Sequence, residues 1–446
     1  MGNEKQKPIL ISGAGLASLL LARVLLNNNI PFRIFERDAS LAFRGQGYRL
    51  RLSNEGLDAI ETSLNPKGWE RFWETCGKTG GAGLVTFDAR NGEILEDSDG
   101  PPNGKGENGA GAGTKQDEGR PNDAVTKLES KQEEGKKSHD TPLKQLGRGP
   151  KEALTSRGGQ TVGIARGEMR EVFLEGAEEY VQWSKDVTGY EMAPSGEGVF
   201  AIFRDGSKSE EGSMLIGGEG IHSKIAKQLS GGKLKVFDTA SRGIHGQAPT
   251  SAFRGLGEGV FRIVDDENST GKLSIITNVR SGDKDRDDIQ FGWTMIGQPG
   301  VIHAPNDDYT IVGKVAADIA KKLTKDWDPK FKPLFDNMDE KEAAFWKITC
   351  SSPSGVPQWE NNPRVTVIGD AVHSMTPAGG LGANTAVQDS ALLGRLLAEA
   401  GGYADGITKK YEDEMRIYGS KAVAQSYGVA SKSFAGLIDE ERTPTV

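Results

Sequence analysis

The pattern of apolar and polar positions at the start of the chain predicts a strand, a helix and a second strand. The apolar run at 8–12 predicts a short strand, helical spacing of apolar residues covers 16–28, and another apolar run follows at 32–35. This order and these lengths are typical of a β–α–β unit. We therefore expect a parallel sheet to begin near the N-terminal end.

Beyond residue 150 the apolar spacing alternates between helical and strand-like. The predicted elements are a helix at 165–180, two strands within 197–217 that form a hairpin at Asp205-Gly206, an antiparallel sheet over 231–300 with one covered face, mixed helix over 310–347, a buried strand at 365–368 and helices to about residue 435. These elements predict an α/β fold with an interleaved antiparallel sheet.

Residues 97–150 differ from the rest of the chain. They contain no aromatic residue and no isoleucine, and they are rich in glycine, lysine and glutamate. Such a segment buries too little apolar area to offset its ordering entropy. We predict a flexible insertion and favour a tolerated surface loop over a functional lid.

Composition narrows the class of protein. The chain has 446 residues, a net charge of -8 and a pI of about 5.5, which suit two or three domains and argue against nucleic acid as a partner. Cys76 and Cys350 lack metal-ligand spacing and are too few for a disulfide framework, so we expect free thiols and no metal site. The N-terminal residues lack a signal-peptide core, and no run reaches the ~18 apolar residues of a membrane span. We expect a cytoplasmic protein.

A glycine-rich turn follows the first predicted strand. Gly13, Gly15 and Ser18 occupy the motif positions of G-x-G-x-x-G, with serine in the third place. The glycines allow a tight turn and let a pyrophosphate approach the backbone at a helix N-terminus. Glu36 follows at the spacing of a carboxylate that accepts from a ribose 2′-hydroxyl. These residues predict FAD or NAD, rather than NADP, as the bound nucleotide.

A second loop near the other end of the chain favours FAD over NAD. It covers 369–384, between the predicted strand at 365–368 and a helix. Asp370 suits a hydrogen bond to a ribityl hydroxyl. The bare N–H groups of 377–382 suit the flavin edge where negative charge collects on reduction. A simple NAD dehydrogenase has no use for such a second cofactor loop.

On these motifs the chain resembles the class A (group A) FAD-dependent monooxygenases, of which p-hydroxybenzoate hydroxylase is the type. The family pattern G-D-A-x-H-x-x-x-P-x-x-G-x-G is matched by Gly369, Asp370, Ala371, His373, Pro377, Gly380 and Gly382. Weaker matches are Arg44, Gln46 and Gly47 near the pyrophosphate, Arg166 and Arg170 at a helix start, and Glu219 where the family usually has Asp.

The resemblance implies a reaction and its cofactors. NADPH or NADH would bind transiently and reduce FAD. O2 would then add at C4a, and the hydroperoxide would transfer one oxygen atom to an electron-rich substrate. The substrate would be a small molecule such as a phenol, an indole, a quinolone or a polyketide-like compound. An epoxidase or cyclising oxidase of secondary metabolism remains an alternative, as does a non-enzymatic escort protein of the same fold.

The loops and the resemblance together assign the site residues. The assigned cofactor contacts are Gly13, Gly15, Ser18, Glu36, Arg37, Arg44, Gln46, Gly47, Arg166, Glu219, Gly369, Asp370, Gly379, Gly380, Leu381, Gly382, Ala383 and Asn384. Catalytic roles are assigned to Pro377 and Arg166 beside the flavin and to His245 as a base whose ordinary pKa lies near neutrality. We expect Trp293 to serve sheet packing rather than substrate binding.

The same reasoning divides the chain into domains. We predict an FAD-binding Rossmann-like domain of the glutathione-reductase type from 1–75, 151–230 and 351–400, and a substrate domain from 76–96 and 231–350. The C-terminal residues 401–446 are predicted to be helical.

Overall fold

A computed structural model describes residues 6–41, 49–80, 84–95, 156–280 and 282–446. The predicted insertion at 97–150 lies outside these residues, as do Arg44, Gln46 and Gly47. The division into domains therefore remains a prediction, while the sheets below are built from described strands.

Sixteen strands lie in the described part of the chain. They are β1 (Ile9–Ser12), β2 (Phe32–Phe35), β3 (Arg49–Leu52), β4 (Gly77–Gly80), β5 (Leu84–Asp88), β6 (Gln160–Ala165), β7 (Val181–Gln182), β8 (Val187–Met192), β9 (Val199–Phe203), β10 (Met214–Gly217), β11 (Val236–Pro249), β12 (Gly259–Asp265), β13 (Leu273–Val279), β14 (Gln290–Gly297), β15 (Ala344–Ser351) and β16 (Val365–Val367).

The α-helices of the described residues lie between these strands and, at the C-terminal end, after the last of them. They are α1 (Leu16–Asn27), α2 (Asn54–Ser63), α3 (Pro66–Thr75), α4 (Arg166–Leu174), α5 (Lys224–Leu229), α6 (Lys314–Leu323), α7 (Pro333–Asp336), α8 (Asp370–His373), α9 (Gly382–Ala400) and α10 (Ile407–Ser433). None of them is long and apolar enough to cross a membrane.

A five-stranded parallel sheet has the order β16–β10–β1–β2–β7. Strands β1, β10 and β16 are buried along their whole length, as expected of a parallel sheet covered by helices on both faces. Helices α1 and α9 pack closely, because a Cβ added to Gly394 would lie 2.9 Å from Cγ1 of Val24. The predicted β–α–β start and the predicted strand at 365–368 are confirmed.

A six-stranded sheet has the order β15–β11–β14–β13–β12–β5, with β5 parallel to β12 and the other neighbours antiparallel. One face carries the apolar side chains of a second core, including Ile244, Ile275 and Trp293, against residues of α6 and α7. The predicted antiparallel sheet with one covered face is confirmed. Its edge strand β15 extends the sheet into the range that was predicted as mixed helix.

One predicted element is confirmed and another is shorter than predicted. The hairpin at Asp205-Gly206 forms, because residues 207–212 return antiparallel to β9, with the Ser209 N–H donating to Ala201 O and the Gly212 N–H to Val199 O, both at 2.9 Å. The chain then enters β10, which joins the parallel sheet. The helix predicted at 165–180 ends at Leu174, because Gly176 adopts a left-handed φ of 80°.

A three-stranded antiparallel sheet, β3–β6–β4, connects the two larger sheets. Thr79 of this sheet donates a hydrogen bond from Oγ1 to Oδ1 of Asn278 in β13, at 3.0 Å. The predicted C-terminal helices are confirmed as α9 and α10. After α10 the chain returns to the six-stranded sheet, where Gly436 N–H donates to Thr239 O at 3.0 Å.

Both cysteines are buried and free, as expected. Burial raises the pKa of each thiol to about 12, so neither is a reactive thiolate near neutral pH.

Candidate functional site

The first glycine loop turns tightly at Gly13. This residue has a φ of 88°, and an added Cβ would lie 2.7 Å from Gly218 O, so both its conformation and its surroundings require glycine. Gly15 is different, because an added Cβ would lie 3.6 Å from Gly218 O, an ordinary contact distance. The protein packing therefore does not require a glycine at position 15, which leaves bare backbone for a ligand.

The helix that follows this loop begins without a side-chain cap. Gly15 is the N-cap residue of α1, and no side chain accepts a hydrogen bond from the N–H groups of the first turn. Such a helix start favours an anion through these N–H groups and the helix dipole. Ser18 is buried at the third motif position and packs against Gly218, as expected of a small residue between helix and sheet.

Glu36 lies at the end of β2, beside the loop. Its Oε2 accepts the Ala14 N–H at 2.7 Å and its Oε1 accepts the Asp38 N–H at 2.9 Å. These bonds hold the carboxylate at the edge of the glycine loop, and its contact with a ribose remains a prediction. Arg37 is exposed and lies 3.8 Å from Asp38.

Arg170 fixes the other side of the same loop. The residue is buried in α4, and its Nη2 and Nε donate to Ala14 O at 3.0 and 3.3 Å. The peptide groups of Ala14 are thus held by Glu36 on the N–H side and by Arg170 on the carbonyl side. Arg170 therefore shapes the loop, while Arg166, at the start of α4, is half-buried and places its positive charge near Asp370.

Glu219 lies directly behind Gly13, since a Cβ added to Gly13 would be 2.9 Å from the Glu219 Cα. Its Oε1 accepts the Ile225 N–H at 3.1 Å, and its Oε2 is buried without a hydrogen-bond partner among the described residues. Burial raises the pKa of this carboxyl to about 7. The longer side chain, where the family usually has Asp, thus leaves one buried oxygen next to the phosphate loop.

The second loop begins at Gly369, which has a φ of 64°. The next residue, Asp370, is exposed, yet the surrounding protein desolvates its carboxyl and raises its pKa, against the opposing charges of His373 and Arg166. Desolvation of this kind means that protein surrounds the carboxyl closely on the sides that do not face solvent. We refer to the surface formed by the exposed residues Asp370, Pro377 and Gly379 as the recess.

A buried polar network supports this loop from below. Asp389 of α9 accepts the Gly369 N–H at 2.6 Å, bonds to Nε2 of His373 at 2.8 Å and accepts the Tyr418 hydroxyl at 2.6 Å. Burial lowers the pKa of His373, but the charge and the hydrogen bond of Asp389 outweigh this effect, and the pKa is raised. The two side chains form a buried, hydrogen-bonded pair that supports the start of the loop at Gly369.

The glycines after Pro377 turn the loop towards α9. Pro377 and Gly379 are exposed, and Gly379 and Gly380 have φ values of 75° and 61°. The Arg51 guanidinium in β3 donates from Nη2 to Gly379 O at 2.8 Å. Leu381, Gly382 and Ala383, which open α9, are partly exposed and have no side-chain cap. The loop thus presents backbone N–H groups to the recess while Arg51 holds its carbonyl.

Both polar atoms of the Asn384 side chain form hydrogen bonds within the protein. Oδ1 accepts the Ser53 N–H at 2.8 Å, and Nδ2 donates to Arg51 O and Gly380 O at 2.9 and 2.7 Å. The residue is buried and ties the loop to β3. Its expected contact with the cofactor remains a prediction.

The two loops, which lie at opposite ends of the sequence, meet at the start of α1. Ser390 of α9 donates from Oγ to Ala17 O at 2.7 Å. A Cβ added to Gly369 would lie 3.4 Å from the Ala17 Cβ. The start of α1 therefore packs directly against the start of the second loop and against α9.

The uncovered face of the six-stranded sheet carries polar side chains. The strand register places Arg262, Ile276, Thr294 and His245 in one row across β12, β13, β14 and β11. Burial lowers the pKa of His245 to about 4, so the imidazole is neutral and weakly basic near pH 7, which differs from the expectation of a base near neutrality.

Trp293 lies on the opposite face of that sheet. Its ring is buried in the second core, and its Nε1 donates to Leu334 O at 3.1 Å. The expectation that Trp293 serves packing is confirmed.

Three site residues were not anticipated from the sequence. Arg51 donates a hydrogen bond to the second loop, and Asp389 bonds to both Gly369 and His373. Asn278 of the six-stranded sheet bonds to Thr79 of the three-stranded sheet. The alternation Arg49-Leu50-Arg51-Leu52 signals a strand with one charged face. Asp389 is flanked by Gln388 and Ser390, so no local signal in the sequence distinguishes it as a buried partner of the loop.

These residues fit FAD. Gly15 and the uncapped start of α1 leave backbone N–H groups for a pyrophosphate. The exposed residues Asp370, Pro377 and Gly379 suit the ribityl chain and the flavin edge. Both ends of an extended dinucleotide thus find polar groups along one surface.

Comparison with known proteins agrees with this fit. The chain matches the FAD binding domain family over residues 116–426, which is more than half of its length. The dual O-methyltransferase/FAD-dependent monooxygenase elcB of Phaeosphaeria nodorum is 26% identical over 463 residues, which cover 94% of this chain and 42% of the relative. The dual O-methyltransferase/FAD-dependent monooxygenase CTB3 of Cercospora beticola is 26% identical over 90% of this chain and 43% of the relative. The chain spans less than half the length of these curated relatives.

A solved structure shows the same fold. HpxO of Klebsiella pneumoniae, complexed with FAD and uric acid, has a TM-score of 0.65 at 18% identity and covers 95% of this chain and 88% of that chain. At this identity the likeness concerns the fold, and it agrees with the combination of parallel and antiparallel sheets described above.

Proposed function

Because the chain belongs to the FAD binding domain family, we propose that it is a group A FAD-dependent monooxygenase. It would use NADPH or NADH and O2 to insert one oxygen atom into an electron-rich aromatic or related small molecule. The observation that carries this proposal is the meeting of the two loops at Ala17, which joins a phosphate-binding helix start to a recess lined by Asp370 and bare backbone.

The residues of the first loop would hold the AMP and pyrophosphate end of FAD. Gly15 and the first turn of α1 offer N–H groups to the pyrophosphate, and Glu36 lies where a ribose hydroxyl would donate. Arg170 keeps the loop in this shape through Ala14. Glu219, whose Oε1 accepts the Ile225 N–H and whose Oε2 is buried, would support the loop from behind Gly13.

The residues of the second loop would hold the ribityl chain and the flavin ring. Asp370 would accept from a ribityl hydroxyl, and the positive end of α9 would stabilise negative charge on the flavin edge. Bound FAD supplies reduction by NAD(P)H and activation of O2. Arg51 and Asn384 would hold the loop in place by their hydrogen bonds, and Pro377 would restrict its backbone beside the flavin.

The substrate would lie between the second loop and the polar face of the six-stranded sheet. Thr294, Ile276 and His245 line that face, and a phenol, indole, quinolone or polyketide-like molecule suits such a mixed surface. With a pKa of about 4, His245 would orient the substrate as a neutral hydrogen-bonding group rather than remove a proton at pH 7. We also propose that the protein acts in the cytoplasm, where NAD(P)H is available.

The curated relatives are longer proteins with two named activities, and they suggest which of the two this chain carries. Their names pair an O-methyltransferase with an FAD-dependent monooxygenase, and this chain aligns with less than half of them. We assign the monooxygenase half to this chain. An epoxidase or cyclising oxidase of secondary metabolism would use the same cofactor surface, and the product identifies which reaction occurs.

The test uses the purified full chain reconstituted with FAD. We expect a yellow protein whose NAD(P)H oxidation is stimulated by at least one member of a panel of phenols, indoles and quinolones. The product mass should rise by one oxygen atom. Asp370→Ala should lower FAD occupancy, while Asp413→Ala, an exposed change on α10, should leave it unchanged. Absence of a flavin spectrum after reconstitution would refute the proposal.

A further inference from the structure

Two arginine side chains meet over a glycine of the small sheet. A Cβ added to Gly77 in β4 would lie 2.6 Å from Nη1 of Arg280 and 3.1 Å from Nη2 of Arg49. The two guanidinium groups therefore approach each other across the bare backbone of Gly77. Both side chains are largely buried, with 18% of Arg49 and 11% of Arg280 exposed.

The nearby carboxylates neutralise the two arginines unequally, because Arg280 has a close carboxylate and Arg49 does not. Nη1 of Arg49 is 4.0 Å from Oε2 of Glu168, which is half-exposed, and Nη2 of Arg49 donates to Gly163 O at 3.2 Å. Asp283 lies 2.6 Å from Nε of Arg280 and is also shared with Arg286 at 3.7 Å. Burial, followed by the charge of Arg280, lowers the pKa of Arg49 to about 10.

This arrangement is unfavourable for the protein alone. Buried charges are ordinarily paired with opposite charges, and two like charges in a partly buried place repel each other. The Nε of Arg280 has no hydrogen-bond partner of good geometry among the described residues, although Asp283 is near. One further negative group between the two guanidinium groups would relieve the repulsion.

The arginine pair faces the proposed substrate space. Arg49 and Arg51 alternate with Leu50 in β3 and so lie on the same side, where Arg51 contacts the flavin-edge loop at Gly379. Gly77 and Thr79 likewise share one side of β4, where Thr79 contacts Asn278 of the six-stranded sheet. The pair therefore lies between the second loop and the uncovered sheet face.

We propose that Arg49 and Arg280 together bind an anionic oxygen group, a carboxylate or a phenolate, of the aromatic substrate. This inference rests on the proposed function and adds the charge of the substrate to it. Guanidinium groups bind carboxylates through paired N–H donors, so a planar acid suits the two arginines better than a neutral group does. The anion would fix the aromatic ring relative to the flavin-edge loop.

The experiment compares matched acids and amides on the FAD-loaded full chain. The probes are hydroxylated benzoic, naphthoic and anthracene carboxylic acids and their neutral amides, at up to millimolar concentration. Binding is measured by perturbation of the flavin absorption spectrum, and turnover by stimulated NAD(P)H oxidation with product mass. We expect at least one acid to bind roughly 30-fold more tightly than its amide.

Substitutions locate the effect. Arg49→Gln and Arg280→Gln should each remove most of the preference for the acid and leave FAD occupancy unchanged. Arg49→Lys should retain part of the preference, because it keeps the charge but loses the paired donors. Arg286→Gln is the matched control, since Arg286 lies in the same loop, is exposed and pairs with Asp288. It should leave the preference unchanged.

Two further arms separate other sources of an anion. A change in the KM for NADPH relative to NADH, without a change in acid binding, would assign the arginines to the nucleotide and overturn the inference. Equal binding of acids and amides, or no binding of any acid, would also overturn it. If oxygenated products form from neutral compounds, the inference fails while the proposed function stands. If the protein does not bind FAD, the proposed function itself fails.

Discussion

The two glycine-rich loops are held by different kinds of contact. The loop at 13–18 combines a left-handed glycine at Gly13 and a helix that starts at once with hydrogen bonds from Glu36 and Arg170 to the backbone of Ala14. The loop at 369–384 is held by buried polar side chains, because Asp389 accepts the Gly369 N–H and Asn384 bonds to Ser53. The comparison teaches that a glycine motif permits unusual backbone conformations, whereas hydrogen bonds from buried polar side chains determine which conformation the loop adopts.

The largest expected effect comes from removing the support of the second loop. Asp389→Ala would leave His373, the Gly369 N–H and the Tyr418 hydroxyl without their hydrogen-bond partner in the interior. We expect a loss of about 3–5 kcal/mol in the free energy of unfolding, because three polar groups lose the same buried partner. Urea unfolding of the apoprotein and FAD occupancy of the holoprotein measure the change. A loss similar to that of the surface variant Asp413→Ala would contradict this account.

The first loop should respond less strongly to a change at its turn. Gly13→Ala would place a Cβ 2.7 Å from Gly218 O in a backbone conformation that favours glycine. We expect a loss of about 1–3 kcal/mol in the free energy of unfolding, together with reduced FAD binding. Urea unfolding of the apoprotein is the measurement. Full stability would show that the loop relaxes around the methyl group and that its shape does not depend on position 13.

The buried carboxyl behind the first loop should make stability depend on pH. The pKa of Glu219 is raised from its ordinary 4.5 to about 7, so its contribution is present at low pH and is lost as the pH rises through this window. Glu219→Gln should flatten the fall in apoprotein stability between pH 4.5 and pH 7. Parallel urea titrations of both proteins across that range test the sign. An unchanged slope would place the proton elsewhere.

The smallest expected effect on stability distinguishes packing from ligand binding within one loop. Gly15→Ala would bring a Cβ only to 3.6 Å from Gly218 O, so the free energy of unfolding of the apoprotein should change by less than about 0.5 kcal/mol. FAD occupancy should nevertheless fall, because the added methyl group would keep the pyrophosphate away from the backbone N–H groups that we propose bind it. Strong destabilisation of the apoprotein would show that position 15, like position 13, serves the fold.

Sequence reasoning performed well where the signal was short-range. The strand ending at Ser12, the glycine at Gly13 and the helix from Leu16 all follow from neighbouring residues, and the structure agrees with them. It performed less well for strand partners. The hairpin at Asp205-Gly206 was predicted, but spacing along the sequence does not specify that β8 pairs with β9 or that β10 lies between β1 and β16.

The roles of charged residues show the same limit. His245 was expected to titrate near neutrality, but desolvation between β14 and β15 lowers its pKa to about 4. Arg170 was predicted only as part of a helix start, and the structure shows that its long side chain reaches Ala14 in the first loop. Burial and reach depend on neighbours that only the folded chain brings close.

By itself the sequence determined the two glycine-rich loops, the β–α–β start and the presence of a second, antiparallel sheet, because backbone freedom and apolar periodicity are properties of adjacent residues. Only the tertiary structure decided that Asn384 would bond to Ser53, 331 residues away in the chain, and that Asp389 would accept the Gly369 N–H. It also decided that Arg49 and Arg280 would approach each other over Gly77. Hydrogen bonds and charges act over a few ångströms, so their partners exist only once distant segments have packed together.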